Sequence, residues 1–371
     1  MNPECENWLY KKLERLRTSE IYNAEKTNKE IAQQYGLAPS DIVKLNYNEN
    51  LYIPREKVVS MLKEVAEEVD FRIYPQNEEA QLKEKIGEYL QVPVDSVSLG
   101  NSSDEIMERV IRIFLDAGNR AVTFAPTFSI FKYCVLYEGA EYVQVPLRDD
   151  FSVDMDAMQK AFTPNARLLY LCSPNNPTAN QLKPQEIEAL AEEFPGIVLV
   201  DEAYGEYADY SIVPLIKKYE NLVVLKTFSK ALSLAGMRLG YCVANPTLAR
   251  ALDKTPAPYP VNVVSLSMGR KMLENISLMH ESVAALKAER KKLISALNEI
   301  EGVEAFDSKA NFVLFNTAKP HAEVYEAALS RGLVIKKFGK LLKYENCLRT
   351  TVGLPRMNAK LLKILSEYMD D

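Results

Sequence analysis

The feature that most constrains the fold of this chain is a series of short apolar runs, separated by helical patterns, that starts at about residue 97. The runs are VSLG, AVTFAP, EYVQVP, RLLYLCSP, GIVLVDEAY, LVVLKTFS and RLGYCVA. Runs that are apolar at consecutive positions are typical of strands covered on both faces. We therefore predict an α/β fold with a mainly parallel sheet between layers of helices.

The sequence before these runs predicts a polar helix and then a loosely patterned arm, together spanning residues 1–40. Pro54 is a typical first residue of a helix. The apolar residues that follow it recur at helical spacing, so we expect them on one face. These residues are Val58, Leu62, Val65 and Val69.

The sequence after the runs predicts a second, smaller α+β domain. A long helical stretch at 262–300 precedes the strand-like runs VEAFDSKANFVLFN, GLVIKK and CLRTTVG, which alternate with helices near 320–331 and 355–369. The predicted division is an N-terminal arm over 1–40, the N-terminal part of the small domain over 41–70, a large domain over 71–260, and a long linking helix with the C-terminal small domain over 261–371.

The length and charge of the chain favour a protein that acts on small molecules. The 371 residues exceed what one hydrophobic core usually supports, so two subdomains around a shared cleft are expected. The formal net charge is -6, and no dense Lys/Arg tract occurs. This balance argues against nucleic acid or an anionic membrane as the main partner.

The N-terminal residues and the cysteines favour a cytoplasmic location. The N-terminus is charged throughout and lacks the apolar core of a secretory signal, and no apolar stretch approaches the length of a membrane span. Five widely scattered cysteines form no C-x-x-C pair, and only two histidines are present. We therefore expect reduced, mostly buried cysteines and no structural metal site.

The stretch TFSKALSLAGMRLG, residues 227–240, places a lysine just after an apolar strand. Small and apolar neighbours would partly desolvate the Lys230 amine and lower its pKa. Such an amine can form a Schiff base with an aldehyde. The alternative is an ordinary solvated surface lysine, which is the usual environment of this residue type.

The stretch DEAY, residues 201–204, ends another apolar strand. Asp201 should therefore lie at the carboxyl edge of the sheet, where open α/β sheets bind ligands. A buried carboxylate at that edge needs a cationic partner, such as a protonated pyridine nitrogen. A helix N-cap or a surface acid is the alternative.

The stretch GNSSDEIM, residues 100–107, predicts an anion site at a helix start. Ser102 stands three residues before Glu105, which is a capping-box pattern. Free N–H groups at this end would bind a phosphate dianion, and Arg238, Thr227 and Ser229 would complete the site. A helix cap without a ligand is the alternative.

The stretch SPNNPTAN, residues 173–180, follows a strand and must turn sharply, because the residue before a proline disfavours helix. The Asn176 amide would then point at an oxygen atom of a bound ring. A plain turn explains the motif equally well.

Nine motifs together, in this order and spacing, resemble histidinol-phosphate aminotransferases and their relatives among the class I and II aminotransferases of fold-type I, over nearly the whole chain. They are NENLY (48–52), RIYP (72–75), GNSSDE (100–105), PTFSIF (126–131), SPNNPT (173–178), DEAY (201–204), TFSKALSLAGMRLG (227–240), KANF (309–312) and LRTTVG (348–353). The resemblance implies a homodimeric aminotransferase whose large domain binds pyridoxal 5′-phosphate.

The resemblance also implies roles for individual residues at the cofactor. Lys230 matches the Schiff-base lysine, and Asp201 matches the partner of the pyridine nitrogen. Tyr204 and Asn176 match the donors to the ring 3′-oxygen, and Phe131 matches the aromatic residue that stacks on the ring. The phosphate-binding positions are Ser102, Ser103, Asp104, Thr227, Ser229 and Arg238.

Further positions match residues that contact the substrate or the neighbouring subunit. Arg349 matches the arginine that binds the substrate α-carboxylate, and Asn311 lies near it. Tyr74 resembles the tyrosine that reaches the phosphate of the neighbour's cofactor. Tyr22 resembles the arm tyrosine that covers the neighbour's substrate.

Three positions depart from the family pattern. Ala179 replaces a glycine, and Lys226 replaces an arginine. Neither position is assigned a contact to the cofactor ring, so neither change should remove cofactor binding. Lys336 stands where histidinol-phosphate enzymes tend to carry an arginine for the substrate phosphate. Lys336 and Lys337 are therefore the expected cations for that group, which a lysine binds without the planar fork of an arginine.

The implied reaction moves an amino group from histidinol phosphate, or from an aromatic or other bulky amino acid, to 2-oxoglutarate by a ping-pong mechanism. Lys230 would act as the general base. A decarboxylase, lyase or oxidase on the same scaffold is the main alternative, because fold does not determine reaction type. A catalytically silent module that binds pyridoxal phosphate is a second alternative.

Overall fold

The computed structural model describes residues 7–10, 13, 26–255 and 258–370. The α-helices from residue 26 onward are α1 (Asn28–Tyr35), α2 (Arg55–Glu68), α3 (Glu78–Leu90), α4 (Ser103–Phe114), α5 (Ser129–Glu138), α6 (Met155–Lys160), α7 (Pro184–Glu193), α8 (Pro246–Asp253), α9 (Val263–Glu274), α10 (Ile276–Asn298), α11 (His321–Ser330) and α12 (Pro355–Asp370). The strands are β1 (Val43–Lys44), β2 (Val97–Gly100), β3 (Arg120–Ala125), β4 (Glu141–Pro146), β5 (Ala166–Cys172), β6 (Ile197–Asp201), β7 (Leu222–Thr227), β8 (Gly240–Ala244), β9 (Val303–Ala305), β10 (Phe312–Thr317), β11 (Leu333–Val334), β12 (Lys336–Leu341) and β13 (Tyr344–Thr351).

A seven-stranded sheet with the order β2-β8-β7-β6-β5-β3-β4 forms the centre of the fold. Its strands are parallel except for β8, which runs antiparallel to both of its neighbours. Leu169 and Leu171 of β5 pack into one hydrophobic core, whereas Leu168 and Tyr170 pack into another. The sheet is therefore buried on both faces, and the predicted α/β fold is confirmed.

The run EYVQVP differs from this pattern, although it does form the strand β4. Because β4 lies at the edge of the sheet, only Val145 in this strand is buried. An edge strand has a neighbour on one side only, and its other side faces solvent.

A second, four-stranded sheet has the order β12-β13-β10-β9 and is antiparallel. The run GLVIKK, predicted as one strand, is divided between two sheets. Leu333 and Val334 pair in parallel with β1, whereas Lys336 begins the pairing of β12 with β13. The chain changes partners at the buried Ile335 because the two sheets meet there.

Three helical predictions also need correction. The stretch 262–300 contains two helices, α9 and α10, separated at Asn275, whose backbone leaves the helical region. The predicted arm contains the helix α1, which Thr27 and Glu30 start with a reciprocal capping box. In α2, Leu62 is exposed and Met61 is buried instead. The other predicted residues do face the core, because Val65 is buried and Val58 and Val69 are partly buried against it.

The cysteines in the described part of the chain are buried and form no disulfide; they are Cys134, Cys172, Cys242 and Cys347. Cys5 lies outside the described residues. Among the helices of residues 26–255 and 258–370, none has the length and apolar character needed to cross a bilayer.

Candidate active site

The predicted site residues converge at the carboxyl ends of three adjacent parallel strands of the large sheet. Asn176 follows β5, Asp201 ends β6, and Lys230 lies three residues beyond the end of β7. Parallel strands bring their carboxyl ends to one edge, and ligands bind at that edge in open α/β sheets. Residues that are distant in the sequence therefore share one cleft.

Lys230 is half-buried, and its Nζ donates a hydrogen bond to the carbonyl oxygen of Tyr47 at 2.7 Å. Burial, together with the positive charge of Arg349, lowers the pKa of the Lys230 amine to about 8. A larger share of neutral amine is then present near neutral pH than for a solvated lysine, and only the neutral amine is a nucleophile. This half-buried, hydrogen-bonded position differs from that of an ordinary solvated surface lysine.

Asp201 is a buried carboxylate, only 5% exposed. Its Oδ2 accepts a hydrogen bond from the Tyr170 hydroxyl at 2.8 Å, and its Oδ1 accepts one from the Ala203 N–H at 2.9 Å. Burial raises the pKa of Asp201 to about 6, against the opposing effect of these two donors. In the part of the chain that the structure describes, no lysine or arginine forms an ion pair with Asp201. A protonated ring nitrogen would supply this cation, so the carboxylate fits pyridoxal phosphate.

The turn between β2 and α4 differs from the predicted capping box. Ser102 has a φ of 82° and its side chain does not cap the helix. Glu105 instead forms an ion pair with the fully buried Arg109, at 2.6 Å, and Arg109 also donates to the Leu99 carbonyl at 3.1 Å. The carboxylate is engaged by this charge-assisted bond and does not reach back to the N-cap.

The predicted anion-binding residues lie together around the N-terminus of α4. Ser103 is the first residue of that helix, so its N–H has no partner within the helix. Arg238 forms an ion pair with Asp104 at 3.2 Å, and both side chains are partly exposed to solvent. Thr227 and Ser229 are buried beside them. The arrangement offers helix N–H groups, two hydroxyls and a guanidinium to a dianion.

Arg349 lies in β13 of the smaller sheet and is nearly fully buried. Its guanidinium donates to the Asn46 carbonyl at 2.8 Å and to Asn176 Oδ1. It also lies over the rings of Phe312 and Phe338, at 5.0 and 5.5 Å from their centroids. These contacts hold the cation at the cleft between the two sheets.

Lys336 is directly opposite Arg349 in the antiparallel pairing of β12 with β13. Directly opposed residues project from the same face of a sheet, so two cations stand side by side. The second predicted cation, Lys337, does not stand beside Arg349. Its Nζ lies over the Tyr325 ring at 4.8 Å, because neighbouring residues of a strand point to opposite faces.

Tyr204 is buried, and its hydroxyl oxygen accepts a hydrogen bond from Asn48 Nδ2 at 3.0 Å. Asn311 is fully buried and donates from Nδ2 to the Asn48 carbonyl at 2.8 Å. Both predicted residues are therefore hydrogen-bonded to the same residue, Asn48. The motif NENLY contains Asn48, but its residue type alone does not indicate this position between Tyr204 and Asn311.

Two aromatic predictions lie at the margins of the site. Phe131 is fully buried and stacks on Tyr170, with centroids 4.3 Å apart, so its stacking on a cofactor ring stays a prediction. Tyr74 is 72% exposed and stacks on Tyr259, with centroids 4.7 Å apart. Tyr22 lies outside the described residues.

Two further residues at the site, the buried Tyr170 and the half-buried Tyr47, carried no predicted role. Tyr170 was counted only as an apolar strand residue, yet its hydroxyl binds Asp201. Its position two residues before the end of β5 and three before Ser173 is the signal that would have suggested an inward-facing hydroxyl near the strand end. Tyr47 contributes only a backbone carbonyl to Lys230, so no property of its side chain predicts the contact.

Comparison with known proteins gives consistent results. A family model described as aminotransferase class I and II matches residues 40–367. A histidinol-phosphate aminotransferase of Bacillus velezensis is 33% identical over 362 residues, which cover 96% of this chain and 99% of that protein.

Solved structures support the fold. The histidinol-phosphate aminotransferase of Sinorhizobium meliloti in complex with pyridoxal 5′-phosphate superposes with a TM-score of 0.85 at 22% identity, covering 96% of each chain. The L-threonine-O-3-phosphate decarboxylase of Porphyromonas gingivalis superposes with a TM-score of 0.77 at 23% identity, covering 89% of this chain and all of that one. These two likenesses show a shared fold and do not distinguish between reactions.

The family match spans most of the chain, and the half-buried Lys230 and the buried Asp201 fit the cofactor of that family. The chain therefore belongs to the class I and II aminotransferases, and the prediction of an aminotransferase enzyme that uses pyridoxal 5′-phosphate is confirmed.

Proposed function

We propose that this aminotransferase moves an amino group between histidinol phosphate and 2-oxoglutarate. The observation that carries the proposal is the pairing of Lys336 with Arg349 on adjacent strands at the substrate side of the cleft. The curated relatives at 31–35% identity include several named histidinol-phosphate aminotransferase, and they support the same substrate.

The two cations suit the two substrates of this reaction. Histidinol phosphate has a dianionic phosphate and no α-carboxylate, whereas glutamate and 2-oxoglutarate have an α-carboxylate. Arg349 would bind the carboxylate with two hydrogen bonds, and Lys336 beside it would bind the phosphate. Because an ammonium group is a point charge, we expect the phosphate to be held by charge more than by geometry.

Bound pyridoxal phosphate would supply an aldehyde carbon that takes up amines and a protonated ring that accepts electrons from the substrate α-carbon. Lys230, Asp201 and Tyr204 are the proposed catalytic residues. Lys230 would move the proton at the α-carbon, since its pKa of about 8 lies near neutral pH. Asp201 would keep the ring nitrogen protonated, and Tyr204 would donate to the ring 3′-oxygen.

The other cofactor-binding residues follow from their positions in the cleft and from the family resemblance. Asn176 would contact the same ring oxygen as Tyr204, and Phe131 would flank the ring. Those proposed for the phosphate are Ser102, Ser103, Asp104, Thr227, Ser229 and Arg238. Asn311 would lie beside the substrate with Arg349.

We propose a homodimer in which each active site uses both chains. Tyr74 lies in an exposed apolar surface with Phe71, Ile73 and Tyr259, each more than half exposed. Large apolar patches of this kind are typical of interaction surfaces. Tyr74 would reach the phosphate of the partner's cofactor, and Tyr22 would cover the partner's substrate.

We also propose the domain division expected above. The pairing of β1 with β11 supports assigning 41–70 to the small domain, because it joins an N-terminal strand to a C-terminal one. The large sheet, β2 to β8, falls within 71–260, and the four-stranded sheet falls within 261–371. Residues 1–40 would form the arm.

The substrate is tested by measuring kcat/KM for histidinol phosphate, phenylalanine, tyrosine and histidine, with 2-oxoglutarate as acceptor. We expect histidinol phosphate to be preferred by the wild type. Lys336→Ala should lower its kcat/KM about tenfold to a hundredfold, because a bond between charged groups is lost. Lys336→Arg should retain or improve it.

Lys337→Ala is the matched control, since Lys337 lies one residue away and faces Tyr325. It should leave the preference unchanged. A preference for an aromatic amino acid, with Lys336→Ala indifferent, would contradict the histidinol phosphate proposal. Release of carbon dioxide from an amino acid, without formation of glutamate, would favour the decarboxylase alternative.

A further inference from the structure

We propose that Asn48 is a positioning residue that aims the Tyr204 hydroxyl proton at the cofactor. The inference rests on the proposed role of Tyr204 as donor to the ring 3′-oxygen. Asn48 is buried, 1% exposed, and lies between the large and the small sheet. It contacts Tyr204, which follows β6, and Thr351, the last residue of β13.

The hydrogen bonds around Asn48 determine which way its side-chain amide points. Its backbone N–H donates to Thr351 Oγ1 at 3.0 Å. The Thr351 hydroxyl donates in turn to Asn48 Oδ1 at 3.4 Å. The amide oxygen therefore faces Thr351, and the Nδ2 group faces Tyr204, to whose hydroxyl oxygen it donates at 3.0 Å.

This orientation has a consequence for Tyr204. A tyrosine hydroxyl has one proton to donate, and here its oxygen already accepts from Asn48. Within residues 26–255 and 258–370, no other side chain is hydrogen-bonded to this hydroxyl. Burial raises the pKa of Tyr204, so the proton is retained at neutral pH. The proton is therefore left for a bound acceptor, and the ring 3′-oxygen is the acceptor proposed for Tyr204.

The backbone holds Asn48 in the position that this contact needs. Asn48 has a φ of 57°, in the left-handed region that asparagine and glycine tolerate best. Its carbonyl accepts from Asn311 Nδ2 at 2.8 Å. The Tyr204 hydroxyl is thus linked through Asn48 to the small sheet, and its orientation depends on the contact between the two sheets.

The test uses the holoenzyme with Asn48→Gly, Tyr204→Phe and the double variant. Glycine removes the amide and keeps the left-handed backbone without strain. The first measurement is the pH at which the visible absorbance of the bound cofactor changes, and the second is its dissociation constant. Donation to the 3′-oxygen favours the ionised form of that oxygen, so a weaker donor raises the transition pH.

We expect Tyr204→Phe to raise the transition by about one pH unit and Asn48→Gly by about half a unit, with about threefold weaker cofactor binding for Asn48→Gly. The double variant should match Tyr204→Phe alone, because Asn48 acts only through the hydroxyl. Asn48→Asp tolerates the same backbone and accepts from Tyr204 instead of donating to it. It should raise the transition at least as much as Tyr204→Phe.

Tyr52→Phe is the matched control. It removes the 2.8 Å hydrogen bond from Tyr52 to the Gly353 carbonyl, which joins the same segment to the small domain without involving Tyr204. It should not shift the transition. An equal shift in this control, no shift in Asn48→Gly, or an Asn48→Gly shift that persists in the Tyr204→Phe background would overturn the inference. No effect of Tyr204→Phe would instead reject the proposed role of Tyr204 itself.

Discussion

Asp201 is buried and Lys230 is half-buried, and burial shifts their pKa values in opposite directions. Burial raises the pKa of Asp201 to about 6 and, with Arg349, lowers that of Lys230 to about 8. Each charged form is thus destabilised until a ligand supplies a counter-charge or takes up the amine. The site is arranged for the bound cofactor, at the expense of stability in its absence.

This arrangement makes a prediction for Asp201→Asn. The folded-state pKa of about 6 exceeds the unfolded value near 4, so the folded protein binds more protons between these values. The free energy of unfolding of the cofactor-free wild type should therefore fall as pH rises from about 4 to about 6. The amide introduced by Asp201→Asn carries no charge, so the variant should be more stable at pH 7 by about 1 to 3 kcal/mol, yet should lose most transaminase activity.

Urea unfolding of the cofactor-free proteins from pH 4.5 to 7.5, with single-turnover rates for the holoenzymes, checks both parts. Asp209→Asn is the control, because Asp209 lies at the surface and its ion pair with Lys309 lowers its pKa. It should not gain stability at pH 7. A wild-type rate in Asp201→Asn would contradict the proposed catalytic role.

Ala179 shows what a departure from the family pattern means at a single residue. It is fully buried and has a φ of 61°, a conformation that suits the glycine usual at this position. Its N–H donates to the Asn175 carbonyl at 2.7 Å, which closes the turn, and its carbonyl accepts from the Lys309 N–H at 2.8 Å. The sequence indicated that the substitution spares cofactor contacts; the positive φ is visible only in the folded turn.

At the scale of the elements, Lys226 joins β7 to the turn that follows β6. Its Nζ forms ion pairs with Glu202 at 3.1 Å and with Glu206 at 2.9 Å, and all three side chains are buried. Burial alone would lower the pKa of Lys226, but the two carboxylates raise it well above its usual value. The pairs tie together the two strand ends that carry Asp201 and Lys230.

Lys226→Met should lower the free energy of unfolding by about 3 to 5 kcal/mol, because it leaves two carboxylates buried without a cation. Lys226→Arg, which restores the residue usual in the family, should stay within about 1 kcal/mol of wild type. Chemical denaturation of the three holoenzymes is the measurement. Wild-type stability in Lys226→Met would mean that the pairs do not stabilise the fold.

At the scale of the whole molecule, the segment from Leu45 to Asn50 holds the two sheets around the cleft. Its backbone carbonyls accept from Lys230 of the large domain, through Tyr47, and from Arg349 of the smaller sheet, through Asn46. One short segment thus contacts both the proposed cofactor lysine and the proposed substrate arginine. A change in the contact between the sheets would move both residues.

The proposed dimer gives a prediction for mixed subunits. Tyr74→Phe and Lys230→Ala homodimers should each have low activity. Random pairing of the two should produce one intact site in half of the dimers, and so recover about a quarter of wild-type activity. The measurement is activity after verified subunit exchange. No recovery would indicate that each site is complete within one chain.

Much of the architecture could be predicted because local sequence reports burial. Runs such as those in β5, β6 and β7 are apolar at consecutive positions, and this pattern requires cover on both faces. The same strands end in motifs with Asn176, Asp201 and Lys230, so their convergence at one edge followed from the parallel arrangement. The prediction of GLVIKK as a single strand was wrong, because the division of this run between two sheets is determined by partner strands that are far away in the chain.

The sequence by itself determined the α/β class, the family and the residues at the strand ends, since each depends on local pattern or on motif order. Only the tertiary structure decided that Glu105 pairs with Arg109, that Lys336 and not Lys337 stands beside Arg349, and that Asn48 donates to Tyr204. These are contacts or registers between side chains whose geometry depends on packing. A residue type specifies the bonds that a side chain can make, whereas the fold selects among the available partners.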